Sequence, residues 1–189
     1  MMRRPLCRLE VGATMESASA RMGRARVLMA VSDSPKWLIR PLALHEIEHV
    51  AAVLDLARLD QGDGFYLVAW EGDEPLGHAH LALTDPPELQ DVSVRIQHRR
   101  RGVATTLTEA AERESRKRGF DRLRITVSVE NEPAQALYRN CGYGDTDVPR
   151  KRVRGTILIR TGPIEVDDTL LTWEKPLASR QATRRGCSE

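Results

Sequence analysis

Apolar residues recur along the chain with two alternating periods, and the alternation outlines its elements. Leu123, Ile125, Val127 and Val129 alternate with Arg122, Arg124, Thr126 and Ser128, the period of a half-buried strand. Just before them, Val103, Ala104, Leu107, Ala110 and Ala111 share one helical stripe that Gly119 closes. Residues 65–70 and 76–83 are two apolar runs separated by Glu71-Gly72-Asp73-Glu74, which predicts an antiparallel hairpin. Ahead of it, residues 37–42 predict a short first strand, with Pro41 holding it to an edge or an end. Ile47, Val50, Ala51, Leu54 and Arg58 fall on one stripe and predict an amphipathic helix over 43–59, ended by Gln61-Gly62-Asp63-Gly64. After the strand at 123–129, Asn131 is placed to cap a further helix, with Pro133 in its first turn and Ala134, Leu137, Tyr138 and Cys141 on its inner stripe.

One segment breaks its own period. Val92, Val94 and Ile96 share a strand face, but Leu89 is out of phase with them by one residue. An extra residue near Gln90 and Asp91 restores the register, which is what a β-bulge does, and a strand bent there offers unpaired backbone groups to a ligand. The C-terminal part is less regular. Residues 150–154 read as a solvated charge run, 156–160 as a strand or a loop over a substrate, and 169–173 as a final strand.

Composition narrows the class. A chain of 189 residues with net charge +2 suits one domain and gives no electrostatic case for nucleic acid or membrane as its main partner. The basic excess sits in residues 1–29, where six arginines oppose Glu10 and Glu16. Residues 1–34 lack either period and are expected to be a disordered extension, with Met15, Met22 and Met29 as alternative starts; 178–189 read as a polar tail. Cys7, Cys141 and Cys187 are odd in number and widely spaced, which predicts neither a disulfide framework nor a zinc site and fits a reducing, cytoplasmic location. No signal peptide or membrane span is expected. His78 and His80 share a strand face but have no third ligand beside them, so they read as exposed or hydrogen-bonded histidines rather than a metal site.

The sharpest local chemistry is Gln97-His98-Arg99-Arg100-Arg101-Gly102-Val103-Ala104, a basic turn between a strand and a helix. The first N–H groups of a helix lack intrahelical partners, and with the helix dipole they make an anion site. Gly102 and Ala104 keep the backbone approachable, so a phosphate or pyrophosphate is the expected guest. Gly-x-Gly-x-x-Gly is absent, and no Gly-Lys-Ser/Thr follows the turn, which disfavours dinucleotide and nucleoside triphosphate sites.

Residues 88–143 resemble the acyl-CoA-binding core of the GNAT superfamily of N-acetyltransferases. The family's Gln/Arg-x-x-Gly-x-Gly/Ala turn is matched by Arg99, Arg100, Arg101, Gly102, Val103 and Ala104. Its Asn-x-x-Ala-x-x-Leu-Tyr signature, followed by Gly-Phe/Tyr, is matched by Asn131, Ala134, Leu137, Tyr138, Gly142 and Tyr143. The resemblance implies an α/β (α+β) fold: a central mixed, splayed β-sheet of about six to seven strands flanked by helices, over residues 35–177. It implies acetyl-CoA as co-substrate, gripped by the backbone of Val92 and Val94, by the turn from Arg99 to Thr105, and by Asn131.

The resemblance further implies direct transfer of the acetyl group to a primary amine on a small molecule or a protein, and it leaves a homodimer open. By motif position Tyr138 is the general acid. A glutamate that some relatives carry on the strand before the asparagine is replaced here by Thr126, which leaves Glu88 and Asp91 as candidate bases. Two other classes stand beside this reading. One is a GNAT-fold module that binds acyl-CoA without catalysis; the other is a nucleic-acid binder using the arginine runs, which lacks interleaved aromatics.

Overall fold

In the computed structural model, which describes residues 37–56, 59, 62–159 and 162–177, eight strands join in one mixed sheet. The expectations for 1–34 and 178–189, and those for Arg58, Gln61, Arg160, Cys7 and Cys187, lie outside the described residues. The elements are β1 (Leu38–Pro41), a 3-10 turn (Leu44–Glu46), α1 (Ile47–Leu54), β2 (Gly64–Glu71), β3 (Glu74–Ala82), β4 (Glu88–Val94), α2 (Val103–Lys117), β5 (Arg122–Ser128), α3 (Glu132–Asn140), β6 (Gly144–Asp145), β7 (Lys151–Ile159) and β8 (Gly162–Pro176). Their order across the sheet is β1-β2-β3-β4-β5-β8-β6, with β7 on β8. β4 and β5 pair in parallel and the other pairs are antiparallel. The strand count exceeds the expected six to seven because β6 and β7 come from the segment with the weakest periodicity.

β2 explains how the layers are arranged. Its side chains alternate between faces, so Leu67 and Ala69 enter the core that holds α2 and α3, while Tyr66, Val68 and Trp70 enter a second core with Val50 of α1. Burial on both faces is why this strand reads as an unbroken apolar run. The expected hairpin of β2 and β3 and the edge position of β1, with Pro41 at its end, are both found.

Three expectations are corrected. The first helix stops at Leu54, short of the expected residue 59, because Asp55 adopts a left-handed conformation (φ 55°) and Leu56 N–H returns to Ala51 O at 2.9 Å. Of the two alternatives for His78 and His80, exposed or hydrogen-bonded, exposure is corrected: both are buried on the α1 side of β3 with their rings near that of Tyr66, and His78 Nε2 lies 3.3 Å from Asp91 Oδ2. Residues 151–159 form a strand, and the final strand begins at Gly162 rather than at residue 169; the two make a long hairpin whose register runs from Lys151↔Leu170 to Ile159↔Gly162. The basic run stays exposed on that hairpin, where Arg152 and Arg154 pair with Asp167 across the strands.

Glu112 binds α2 to the far side of the sheet. Its carboxylate is buried and accepts from Lys175 Nζ of β8 at 2.7 and 2.8 Å and from Arg116 at 3.1 Å. A carboxylate this deep needs cations beside it to offset its lost hydration.

Candidate active site

β4 and β5 pair only at Glu88↔Arg124 and Leu89↔Ile125, and beyond that point they part. The cause lies in β4 itself. His78 and His80 of β3 stand opposite Ser93 and Gln90, so Ala79 faces two residues of β4 instead of one. This is the bulge that the out-of-phase Leu89 predicts, and Asp91 inside it takes the left-handed conformation at φ 53°. Past the bulge β4 stays with β3 as far as Gly77↔Val94. A Cβ on Gly77 would meet Ser93 O at 2.4 Å and Val94 Cα at 3.0 Å, so the close pairing there depends on glycine. β4 therefore follows β3 away from β5, and a wedge opens.

A cleft of about 440 Å³ fills that wedge, and most of the expected site residues line it. Val92 and Val94 form its β4 wall, Arg99, Arg100 and Gly102 to Thr105 its basic end, and Asn131, Ala134, Leu137 and Tyr138 the opposite wall. At the basic end Gly102 is the residue before α2, with φ 88° and no side chain to cap the helix. Thr106 N–H is the first recorded to turn back, onto Gly102 O at 3.0 Å. The N–H groups of Val103, Ala104 and Thr105, in the first turn of the helix and at the cleft, are those that a helix start leaves without intrahelical acceptors. Helix start and arginines together suit a bound anion.

Each arginine of the turn has a different destination. Arg99 lines the cleft, and its Nε donates to Val94 O at 3.0 Å. Arg100 lines the cleft with a left-handed backbone, φ 61°. Arg101 turns away: it reaches His98 Nδ1 at 2.7 Å and Glu71 at 3.2 Å, with its guanidinium 4.7 Å above the Trp37 ring. It ties the turn to the first strands, and Arg101 is not among the residues that line the cleft.

Asn131 accepts from Ala134 N–H at 3.1 Å, the cap expected of it. Tyr138, one turn further along α3, is 8% exposed and edge-on to Tyr143 with ring centroids 5.9 Å apart. Burial, with a smaller contribution from Cys141, pushes the Tyr138 phenol up to about 12, so at neutral pH it keeps its proton. Burial likewise raises the Tyr143 phenol.

The two candidate carboxylates lie on the other face of the sheet. Leu89 and Ile125 point into the core beneath α2 and α3, so their strand neighbours Glu88 and Thr126 point the opposite way. There the Thr126 hydroxyl donates to Glu88 Oε1 at 2.8 Å. Thr126, which stands where some relatives carry a glutamate, is thus in contact with a glutamate of the adjacent strand. Asp91 is engaged differently, with Oδ2 3.3 Å from Nε2 of buried His78.

Four contributors escape the sequence reading: Gly77, His78, His98 in the cleft wall, and the Thr126 hydroxyl. Only Gly77 carries a local signal, since a glycine inside an apolar strand marks close backbone approach. Among the described residues no cluster of three or more metal-ligating side chains occurs, and no helix is long and apolar enough to cross a membrane.

A family model described as the acetyltransferase (GNAT) family matches residues 32–143, well over half of the chain. The chain belongs to that family. A GNAT relative named as the uncharacterized N-acetyltransferase YsnE of Bacillus subtilis (strain 168) is 34% identical over 94 residues, 48% of this chain and 62% of that protein. The match thus spans less than two thirds of the relative's own length. Among solved structures, the ribosomal-protein-S18-alanine N-acetyltransferase of Escherichia coli superposes with a TM-score of 0.59 at 15% identity, over 79% of this chain and 99% of that one. A Bacillus subtilis acetyltransferase solved in complex with CoA superposes with a TM-score of 0.55 at 19% identity, over 76% and 100%. At these identities the likeness is one of fold, and the splayed mixed sheet of this GNAT protein is the shared feature.

Proposed function

We propose that this GNAT protein transfers the acetyl group of acetyl-CoA to a primary amine by direct attack within a ternary complex, and that residues 35–177 carry the activity. The observation that bears most weight is the wedge between β4 and β5, open at one end onto an uncapped helix start with two arginines and walled at the other by a protonated tyrosine. In this reading the N–H groups of residues 103–105, with Arg99 and Arg100, hold the pyrophosphate. The backbone of Val92 and Val94 lies along the pantetheine arm. Arg99 already occupies Val94 O, which leaves the rest of that backbone for the arm.

The chemistry divides between the two faces. The amine must shed a proton to attack the thioester carbonyl, and Glu88 accepts that proton, steadied by Thr126. As the C–N bond forms and the C–S bond breaks, Tyr138 gives its proton to the departing sulfur. The phenol can do this because burial favours its neutral form. Asp91 takes no proton in this scheme, because buried His78 already engages its carboxylate. The acceptor belongs on the Glu88 face and is an amine of a small molecule or a protein.

A second reading, an acyl-CoA-binding module without turnover, draws on Thr126 in place of the strand glutamate. Thiol release from acetyl-CoA against a panel of primary amines separates the two. Amine-dependent release supports transfer; tight CoA binding with no release on any amine would favour the binding module.

A further inference from the structure

We propose that His78 is a positioning residue: its contact with Asp91 holds the bulge of β4 and thereby aims the backbone of residues 92–94 into the cleft. The proposal rests on the reading of that cleft as the acyl-CoA site. Asp91 is the one residue of β4 in the left-handed region, which residues other than glycine adopt uncommonly, aspartate more readily than most. The bulge also leaves Asp91 and Val92 sharing a single partner, Ala79, so strand pairing alone fixes neither of them.

One contact that holds Asp91 comes from the neighbouring strand. His78 directly precedes Ala79, is 2% exposed, and presents Nε2 to Asp91 Oδ2 at 3.3 Å. Its other ring nitrogen, Nδ1, is buried with no hydrogen-bond partner among the described residues. That asymmetry assigns the ring proton to Nε2, because a proton on Nδ1 would be a buried donor without an acceptor, whereas a bare lone pair costs less. His78 therefore presents Nε2 to Asp91 as a donor fixed by packing. Gly77 holds the next position of the same strand against Val94. When the contact with His78 is lost, residue 91 can return to an extended conformation, and a one-residue slip turns Val92 and Val94 together to the other face. Only the bulged conformer presents the cleft wall, so apparent affinity falls with its population.

The experiment measures CoA binding by calorimetry on the full chain for His78→Ala, His78→Gln, Asp91→Gly and the double variant Asp91→Gly/His78→Ala. We expect His78→Ala to weaken binding about tenfold and His78→Gln, which keeps a donor amide, to recover most of the loss. Asp91→Gly already lacks the contact, so adding His78→Ala to it should cost nothing further. Wild-type binding by His78→Ala overturns the proposal, and so does an equal loss in both backgrounds. If His78→Ala does not fold, His78→Gln and His78→Leu decide instead: glutamine near wild type with leucine, which fills the space without a donor, about tenfold weaker supports the clamp, and equal affinities sink it. A wild-type chain that binds no CoA refutes the cleft reading separately. The backbone amide shifts of Ser93 and Val94 in Asp91→Ala then test the clamp by themselves, and unchanged shifts overturn it.

Discussion

The cleft beside β4 and the hairpin of β7 and β8 are built on opposite plans. Around the cleft, positive φ angles gather within a dozen residues, at Asp91, Arg100 and Gly102, and each is tied to a bend or a helix start. The hairpin carries its regularity in cross-strand pairing, with nine registered pairs and a set of exposed ion pairs on Asp167. The cleft holds two residues with side chains, Asp91 and Arg100, in the left-handed region beside its opening, whereas the hairpin's positive φ angles fall on glycines, Gly155 and Gly162. Special residues at fixed spacing thus mark the place where the chain is forced into an unfavourable shape.

The contrast can be broken most directly at Tyr138. Tyr138→Phe should lower kcat about a hundredfold or more while leaving the Kd for acetyl-CoA unchanged, read by thiol release and calorimetry. Equal losses in both would make Tyr138 a packing residue and remove the chemical distinction between the regions. The same proton sets a pH expectation. A general acid works only while protonated, and burial holds this one up to about 12, so the alkaline side of the kcat profile should not fall until pH approaches that value. A fall centred on the ordinary tyrosine range would contradict it.

Next in size is Glu112→Ala, which strands Lys175 and Arg116 around a buried hole where α2 meets β8; a loss of about 3 kcal/mol in denaturant melts is expected. Gly77→Ala should cost about 2 kcal/mol, because its Cβ has no room against Ser93 and Val94, and it should weaken CoA binding as well. A variant stable and tight as the wild type would show that β4 needs no close contact to leave β5. The smallest effect belongs to the hairpin. Asp167→Ala removes exposed ion pairs with Arg152 and Arg154 and should leave both the melting temperature and turnover within error. A clear loss of turnover there would give the hairpin a role in the site and blur the comparison.

How much was legible follows the same division. Leu89 out of phase with Val92 located the bulge, and Asn131 with Pro133 located the start of α3, because each is a local departure with one inexpensive structural solution. Residues 151–168 gave no such sign. Their pairing depends on a partner strand rather than on a period within either segment, so the long hairpin read as a charge run followed by a strand or a loop. His78 and His80 read as either exposed or hydrogen-bonded because one strand face looks like another until α1 is packed over it.

The sequence by itself determined the elements from β1 to α3, the splay of β4, and the anion-seeking turn before α2, since these depend on period, glycine and capping within a few residues. Tertiary structure alone decided where the charged and ionisable groups point. It turned Arg101 toward Trp37 and out of the cleft, brought Glu88 to the Thr126 hydroxyl across two strands that pair for only two residues, and set His78 behind Asp91. Those contacts join residues far apart in the chain, and no local preference encodes them. They follow from the order in which the strands lie side by side.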